Sequence, residues 1–343
     1  MAYRSITKPS DHFNTKLYTG NSSNNHAITG VGFQPDFTWI KNRGGDWNIL
    51  TDSIRGVTKL VYSNSTAAED TDSTYIQSFD SNGFTLGTNT DVNENSNNYA
   101  SWNWLGANGT ASNSNGSINS TVSANTTAGF SIGTYNGTGA DNTVGHGLGV
   151  APDMIFVKCK STAHDWVVYH SALGNAKILT LNASTAAQSA TGWQSTSPTS
   201  SVFSIDNAAN SLNQSGQSFV FYAMASKKGY SKFGSYTGNG NADGTFVYTG
   251  FKPAWVMIKR TDTSGNSWFM WDNKRATHNE MVNCLLANTY DAELTDREID
   301  FLSNGFKTRA TDGNYNSSGG SYIYMAFASA PLVGTNNIPA TAR

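Results

Sequence analysis

Charge is what this chain has least of. Lys, Arg, Asp and Glu make up only 13% of its 343 residues, and 22 basic against 24 acidic side chains leave a formal net charge of −2. A surface so thinly charged has no basic stripe with which to neutralise phosphates, so nucleic acid is not an expected partner. Cysteine is scarcer still, with two in all. Cys159 and Cys284 lie in apolar runs and read as small buried hydrophobes, which argues against a disulfide or a Cys-x-x-Cys metal site. No apolar run approaches the ~18 residues needed to cross a bilayer, so membrane insertion is not expected. The opening Met1-Ala2-Tyr3-Arg4-Ser5 lacks the charged-then-apolar layout of a secretory signal.

Gly, Ser, Thr and Asn fill the space that charge leaves. They disfavour helices, because Ser, Thr and Asn compete for backbone hydrogen bonds and Gly carries an entropy cost. Aromatic residues nevertheless reach 12%, nine of them Trp. Aromatics set among Gly and Asn predict short strands joined by tight turns, and ordered structure throughout.

One stretch occurs three times: Gly32 to Lys41, Gly149 to Lys158 and Gly250 to Lys259. Each copy has a Gly, a Pro three positions on (Pro35, Pro152, Pro253), an apolar run, and a Lys six positions after the Pro (Lys41, Lys158, Lys259). Pro cannot donate to a sheet ladder and suits a strand start. The apolar run after it suits a central strand covered on both faces, and the Lys is expected to end burial and reach water. A Trp follows each copy, at Trp47, Trp166 and Trp268, and opens the expected partner strand.

The spacing of these copies defines an internal repeat of about 100 residues, too long for a solenoid unit and long enough for a core of its own. The predicted fold is therefore all-β: three tandem antiparallel β-sandwich domains of jelly-roll or lectin-like type. Residues 1–12 read as an N-terminal arm, 13–108 as the first sandwich, 109–128 as a flexible Gly/Ser/Asn linker, 129–226 as the second sandwich, 229–329 as the third, and 330–343 as an extended tail. Tyr99 to Trp104 alternates, with Trp102 and Trp104 on one face and Tyr99, Ser101 and Asn103 on the other. Residues 291–302 carry enough Glu, Asp and Leu for a short helix.

Candidate chemistry is sparse. Asp52 with Arg55, and Asp272 with Arg275, stand at matching positions and read as ion pairs that pin a loop; repeat two has His170 there and no Arg. No His-Glu-x-x-His occurs, His164 and His170 lack a third metal ligand, and neither catalytic residues nor a cofactor are expected. Trp193, in a Thr191-Gly192-Trp193-Gln194 loop, is a candidate for stacking on a sugar ring. His146, flanked by Gly145 and Gly147, is a second candidate ligand-binding residue. Sequence differences among the copies concentrate in the 65–81, 183–200 and 289–303 loops, where function is expected to lie.

Several runs resemble a family of uncharacterised marine bacteriophage virion proteins. They include Gly116 to Asn125, Ala128 to Ile132, Val144 to Gly149, Trp166 to His170, Gly234 to Gly240, Phe301 to Phe306 and Tyr322 to Ala328. These relatives are tail-fibre or lectin-like structural proteins, and the resemblance covers nearly the whole chain. It implies a structural protein on the exterior of the virion, made in the host cytoplasm, with other virion proteins as partners. Its leading form is a tail fibre or appendage in contact with the host surface, through cell-surface glycans. The alternatives are capsid decoration or a head fibre and, more remotely, a glycan-degrading enzyme. Appendages commonly sit on symmetry axes, so a homo-oligomer, a trimer, is expected.

Overall fold

The computed structural model describes residues 4–207, 209–333 and 339–341. The fold is all-β, built from several antiparallel sheets. Its helical pieces, among the described residues, are three single turns, Thr90–Asn93, Asn210–Asn213 and Gly313–Asn316, and a short 3-10 turn at Pro9–Asp11.

Each repeat builds a large sheet on the same plan, with the recurring stretch in the middle. In repeat one Phe37–Asn42 lies between Asn98–Trp104 and Asn48–Asp52, and Phe13–Thr19 pairs outside Asn98–Trp104. Repeat two places Met154–Cys159 between Ser218–Met224 and Val167–His170, and repeat three places Phe251–Arg260 between Ser321–Pro331 and Trp268–Asp272. Pro35 and Pro152 precede their strands, while Pro253 falls at a break in register inside the longer third copy, as a residue without an N–H requires. A smaller sheet covers one face of each large sheet, giving every repeat a sandwich-like pair. Asn82-Gly83-Phe84 and Asn304-Gly305-Phe306 turn into these smaller sheets. A Cβ at Gly83 would sit 1.9 Å from the Ile28 carbonyl oxygen, and one at Gly305 2.1 Å from that of Val247, so only Gly fits.

The other face of each large sheet points inward. Each repeat has its own outer core, but the largest apolar cluster belongs to all three at once: Trp39, Trp102 and Trp104 from the first, Phe156, Trp166 and Tyr222 from the second, and Trp255, Met257 and Phe327 among those from the third. Phe37 lies 4.4 Å from Tyr222, and Phe13 stacks on Phe327 at 4.9 Å, both measured between ring centroids. Burial on both faces explains why the recurring strand is apolar without alternation.

Two expectations are corrected. The stretch 109–128 is not a free linker. Ala111–Asn113 and Ser120–Asn125 are strands, and the latter pairs with Phe130–Asn136 to extend the second large sheet. Strand pairing is a main-chain bond, so a Ser/Thr/Asn-rich segment forms it when a partner edge is supplied. Residues 291–302 form no helix; Ile299–Leu302 pairs with Gly305–Thr308, and Leu294 bridges to Cys284. There the pairing partner overrides local helix propensity. The N-terminal arm is tied down, with the Ser5 N–H donating to Lys228 O in the joint between repeats two and three and Ile6 buried in the shared core. Of the expected tail, Ala330 and Pro331 finish a strand, while residues 334–338 and 342–343 lie outside the described residues.

Candidate functional site at the repeat junctions

Lys41, Lys158 and Lys259 do not reach water. All three are 0% exposed, because the strands that carry them are buried on both faces to their ends. Each ammonium bridges two repeats. Lys158 Nζ donates to His164 O at 2.5 Å in its own repeat and to Thr66 O at 2.7 Å in repeat one. Lys259 Nζ donates to Asn266 O at 2.5 Å and to Ser184 O of repeat two at 3.3 Å. Lys41 Nζ donates to Asp46 O and, at 3.1 Å, to Thr289 O of repeat three. The three bridges link second to first, third to second and first to third, which closes a ring. Burial pulls each ammonium down to a pKa of about 8, although nearby Asp46 and Asp291 oppose this at Lys41, as Asp165 does at Lys158.

Beside each Lys sits a second clasp. Trp166 Nε1 donates to Tyr62 O at 2.8 Å, and Trp268 Nε1 to Thr180 O at 3.0 Å, each in the preceding repeat. The third position of this ring is Asn48, not Trp47. Asn48 pairs with Lys41 just as Trp268 pairs with Lys259, and its Nδ2 donates to Leu286 O and Thr289 O of repeat three at 3.2 and 3.0 Å. The backbone N–H groups of Asn48, Trp166 and Trp268 donate to the side-chain oxygens of Asn64, Asn182 and Asn288, fixing the equivalence. Trp47 instead packs against Tyr62 and Tyr290. The indole lost at Asn48 is replaced from the neighbouring strand: Trp39, standing where the other repeats have Phe156 and Met257, donates its Nε1 to Asn48 Oδ1 at 3.2 Å.

The Asp–Arg pairs are buried and belong to larger networks. Asp52 and Arg55 side chains are 0% exposed, 2.5 Å apart, and Arg55 also meets Glu69 at 3.2 Å. Asp272, Arg275 and Glu293 repeat this geometry at 2.6 and 3.1 Å. Each Asp also accepts from the next repeat in the ring: Asp52 from Tyr222 Oη at 2.7 Å, Asp272 from Trp102 Nε1 at 3.2 Å. Glu293 continues to Arg43 of repeat one at 2.6 Å. Glu69 donates its N–H to the carbonyl of Lys160, which stands where Arg43 does.

The remaining junction, between repeats two and three, has none of these charges. The matching residues are His170, Leu173, Ala187 and Thr261. Met325 takes the place of Trp102 and Tyr222, and offers no donor for an acid. His170 Nε2 lies 3.3 Å from Tyr324 O, and burial pushes its pKa down to about 4, so it is neutral. Shorter side chains leave a cleft of about 670 Å³ between Leu173, Lys177 and Ala187 on one wall and Ser235, Asp262 and Ser321 on the other.

Neither candidate ligand residue faces solvent. Trp193 is 0% exposed and packs edge-on against Tyr169 and Phe203 in the outer core of repeat two. His146 is also buried: its Nδ1 accepts from the Leu148 N–H at 3.2 Å and its Nε2 donates to Thr199 O at 3.1 Å, so both ring nitrogens are engaged. The polar loop around Trp193 and the glycines around His146 masked the packing. A Gly-x-Ser-x-Gly run at Gly129–Gly133 is no nucleophile elbow, since it enters a strand in which buried Ser131 pairs with Ala223. Cys159 and Cys284 are buried free thiols. Among the described residues no group of three or more His, Cys, Asp or Glu side chains converges as a metal site, and no helix is long and apolar enough to span a membrane.

Residues 8–331 match a family described as a domain of unknown function, DUF7483. The chain belongs to that family. No curated protein and no solved structure matches it. The DUF7483 match runs through all three repeats, so the family unit is the whole ring.

Proposed function

We propose that this DUF7483 chain is a structural protein on the exterior of a bacteriophage particle, a tail-fibre or appendage protein that contacts the host surface, and that it acts by binding, without catalysis. The observation that supports this most is the closed ring. Three like units are locked by buried lysines and by direct bonds across every junction. Such a body resists opening, as an exposed particle component must. The resemblance of several runs to virion proteins supports the same reading, and jelly-roll connectivity within each repeat is part of the proposal. So is assembly of identical copies into a trimer, since appendages commonly sit on symmetry axes.

Immunogold labelling of intact particles with antibody to this chain tests the location. Label on tail appendages is the expected result; label on the capsid shell would replace the tail reading with decoration, and unlabelled particles would end the virion reading. Release of reducing sugar from host polysaccharide by the purified chain would overturn the non-catalytic part.

A further inference from the structure

Of the three junctions, two are filled by Arg and Glu side chains, Arg55 with Glu69 and Arg275 with Glu293, and the third is open. The exchange is concerted: acid, Arg, Glu and the facing basic residue are all lost together, replaced by His170, Leu173, Ala187 and Thr261. Losing one partner alone would strand a buried charge, whereas losing the whole set leaves a cleft with no stranded buried charge and at no such cost.

The walls of that cleft define what fits it. Leu173, Ala187 and Ile323 supply an apolar floor. On the facing sheet Ser235, Thr237, Thr261 and Ser321 bring four hydroxyls, with Thr237 directly opposite Ser321 in the ladder. One cation and one anion flank them, and both are engaged: Lys177 Nζ donates to Ser189 Oγ at 2.9 Å, and Asp262 pairs with Arg260 at 2.8 Å. The cleft therefore has no surplus charge for a phosphate or a carboxylate. Its volume, about 670 Å³, is that of a small-ligand site. A ligand that shows C–H to one wall and hydroxyls to the other satisfies both.

We propose that the cleft between repeats two and three binds a short neutral saccharide. The sugar's C–H face lies on Leu173 and Ala187, and its hydroxyls exchange hydrogen bonds with the Ser235, Thr237 and Ser321 side chains. The assignment stands apart from the location of the chain on a particle, because the cleft's chemistry does not depend on what surrounds the protein.

The test is saturation-transfer NMR and calorimetry on the full chain with lactose, maltose, cellobiose and N,N′-diacetylchitobiose, and with a sulfated heparin disaccharide as the charged competitor. At least one neutral disaccharide should bind, and the sulfated one should not. The variant His170→Asp/Leu173→Arg/Ala187→Glu rebuilds the acid, Arg and Glu of the other junctions inside the cleft and should lower affinity at least tenfold. Thr237→Val/Ser321→Val, at two exposed positions, leaves the core untouched and should also weaken binding; it decides the matter if the filled-cleft variant does not fold. Absence of binding by all four neutral sugars, preference for the sulfated one, or full affinity in the rim variant would each overturn the assignment.

Discussion

A lysine that ends a strand usually ends burial as well, yet here the ammonium is the cross-link. Its two acceptors are main-chain carbonyls of different repeats, so removing it leaves both without that donor at a partly buried junction. Lys158→Met keeps the aliphatic stem and deletes only the donor; it should cost about 2 kcal/mol, the usual penalty for buried polar groups left unpaired, read from urea unfolding. The same burial gives the lysines a pH signature. Their folded pKa of about 8 lies below the ordinary 10.5. Between those values the unfolded chain binds more protons than the folded one, so stability from these groups rises with pH and is reduced below pH 8. A neutral amine still has two N–H groups for its two carbonyls. Thermal unfolding should therefore occur at higher temperature at pH 9.5 than at pH 7.5, and Lys158→Met should show a smaller rise. A fall over that interval would mean that the ammonium form is the one the site holds.

At the scale of the element, the junctions behave as sets. Arg55→Leu alone leaves Asp52 buried without its cation and should cost about 3–5 kcal/mol. Asp52→His/Arg55→Leu/Glu69→Ala/Lys160→Thr copies the four residues of the open junction, and should cost less than half as much as the single change, a non-additivity expected of residues in one network. Denaturant unfolding of the two variants checks this; a quadruple variant worse than the single one would show that the sets are not interchangeable. The same distinction explains what could be read from sequence. Asp52 with Arg55 and Asp272 with Arg275 are three residues apart, so the pairs are visible in one segment. Trp102 and Trp104 against Tyr99 are visible because a strand alternates with period two, and the structure puts the tryptophans in the shared core and Tyr99 in the outer one. Glu69, Glu293, Tyr222 and the lysine acceptors lie in other segments or other repeats, and nothing local announces them. The Trp47 equivalence failed for a related reason: Asn48 holds the position, and its missing indole is supplied from Trp39, nine residues earlier. His146 and Trp193 failed the opposite way, since polar neighbours in sequence are not neighbours in space.

For the whole molecule, the shared core decides how it unfolds. Each large sheet buries its inner face only against the other two, and that face carries the bulk of the tryptophans, Trp39, Trp102, Trp104, Trp166, Trp255 and Trp268 among them. A repeat cut out alone would expose this face to water, together with a Lys that has lost one of its two carbonyls and, in repeats one and three, an Asp that has lost its donor from the next repeat. Each repeat keeps its outer core, but every Å² of apolar inner face returned to water costs about 25 cal/mol. The ring closes through the contact of repeat three with repeat one, so loss of any repeat opens two junctions, not one. The chain should therefore melt in a single calorimetric transition, with van't Hoff and calorimetric enthalpies equal, in place of the three transitions that independent sandwiches would give. Residues 109–226, which keep the two strands that extend the second large sheet, should lack a cooperative transition when expressed alone and bind a hydrophobic dye. Three resolved transitions, or a stable isolated repeat, would show that the outer cores suffice and that the central cluster only docks finished domains.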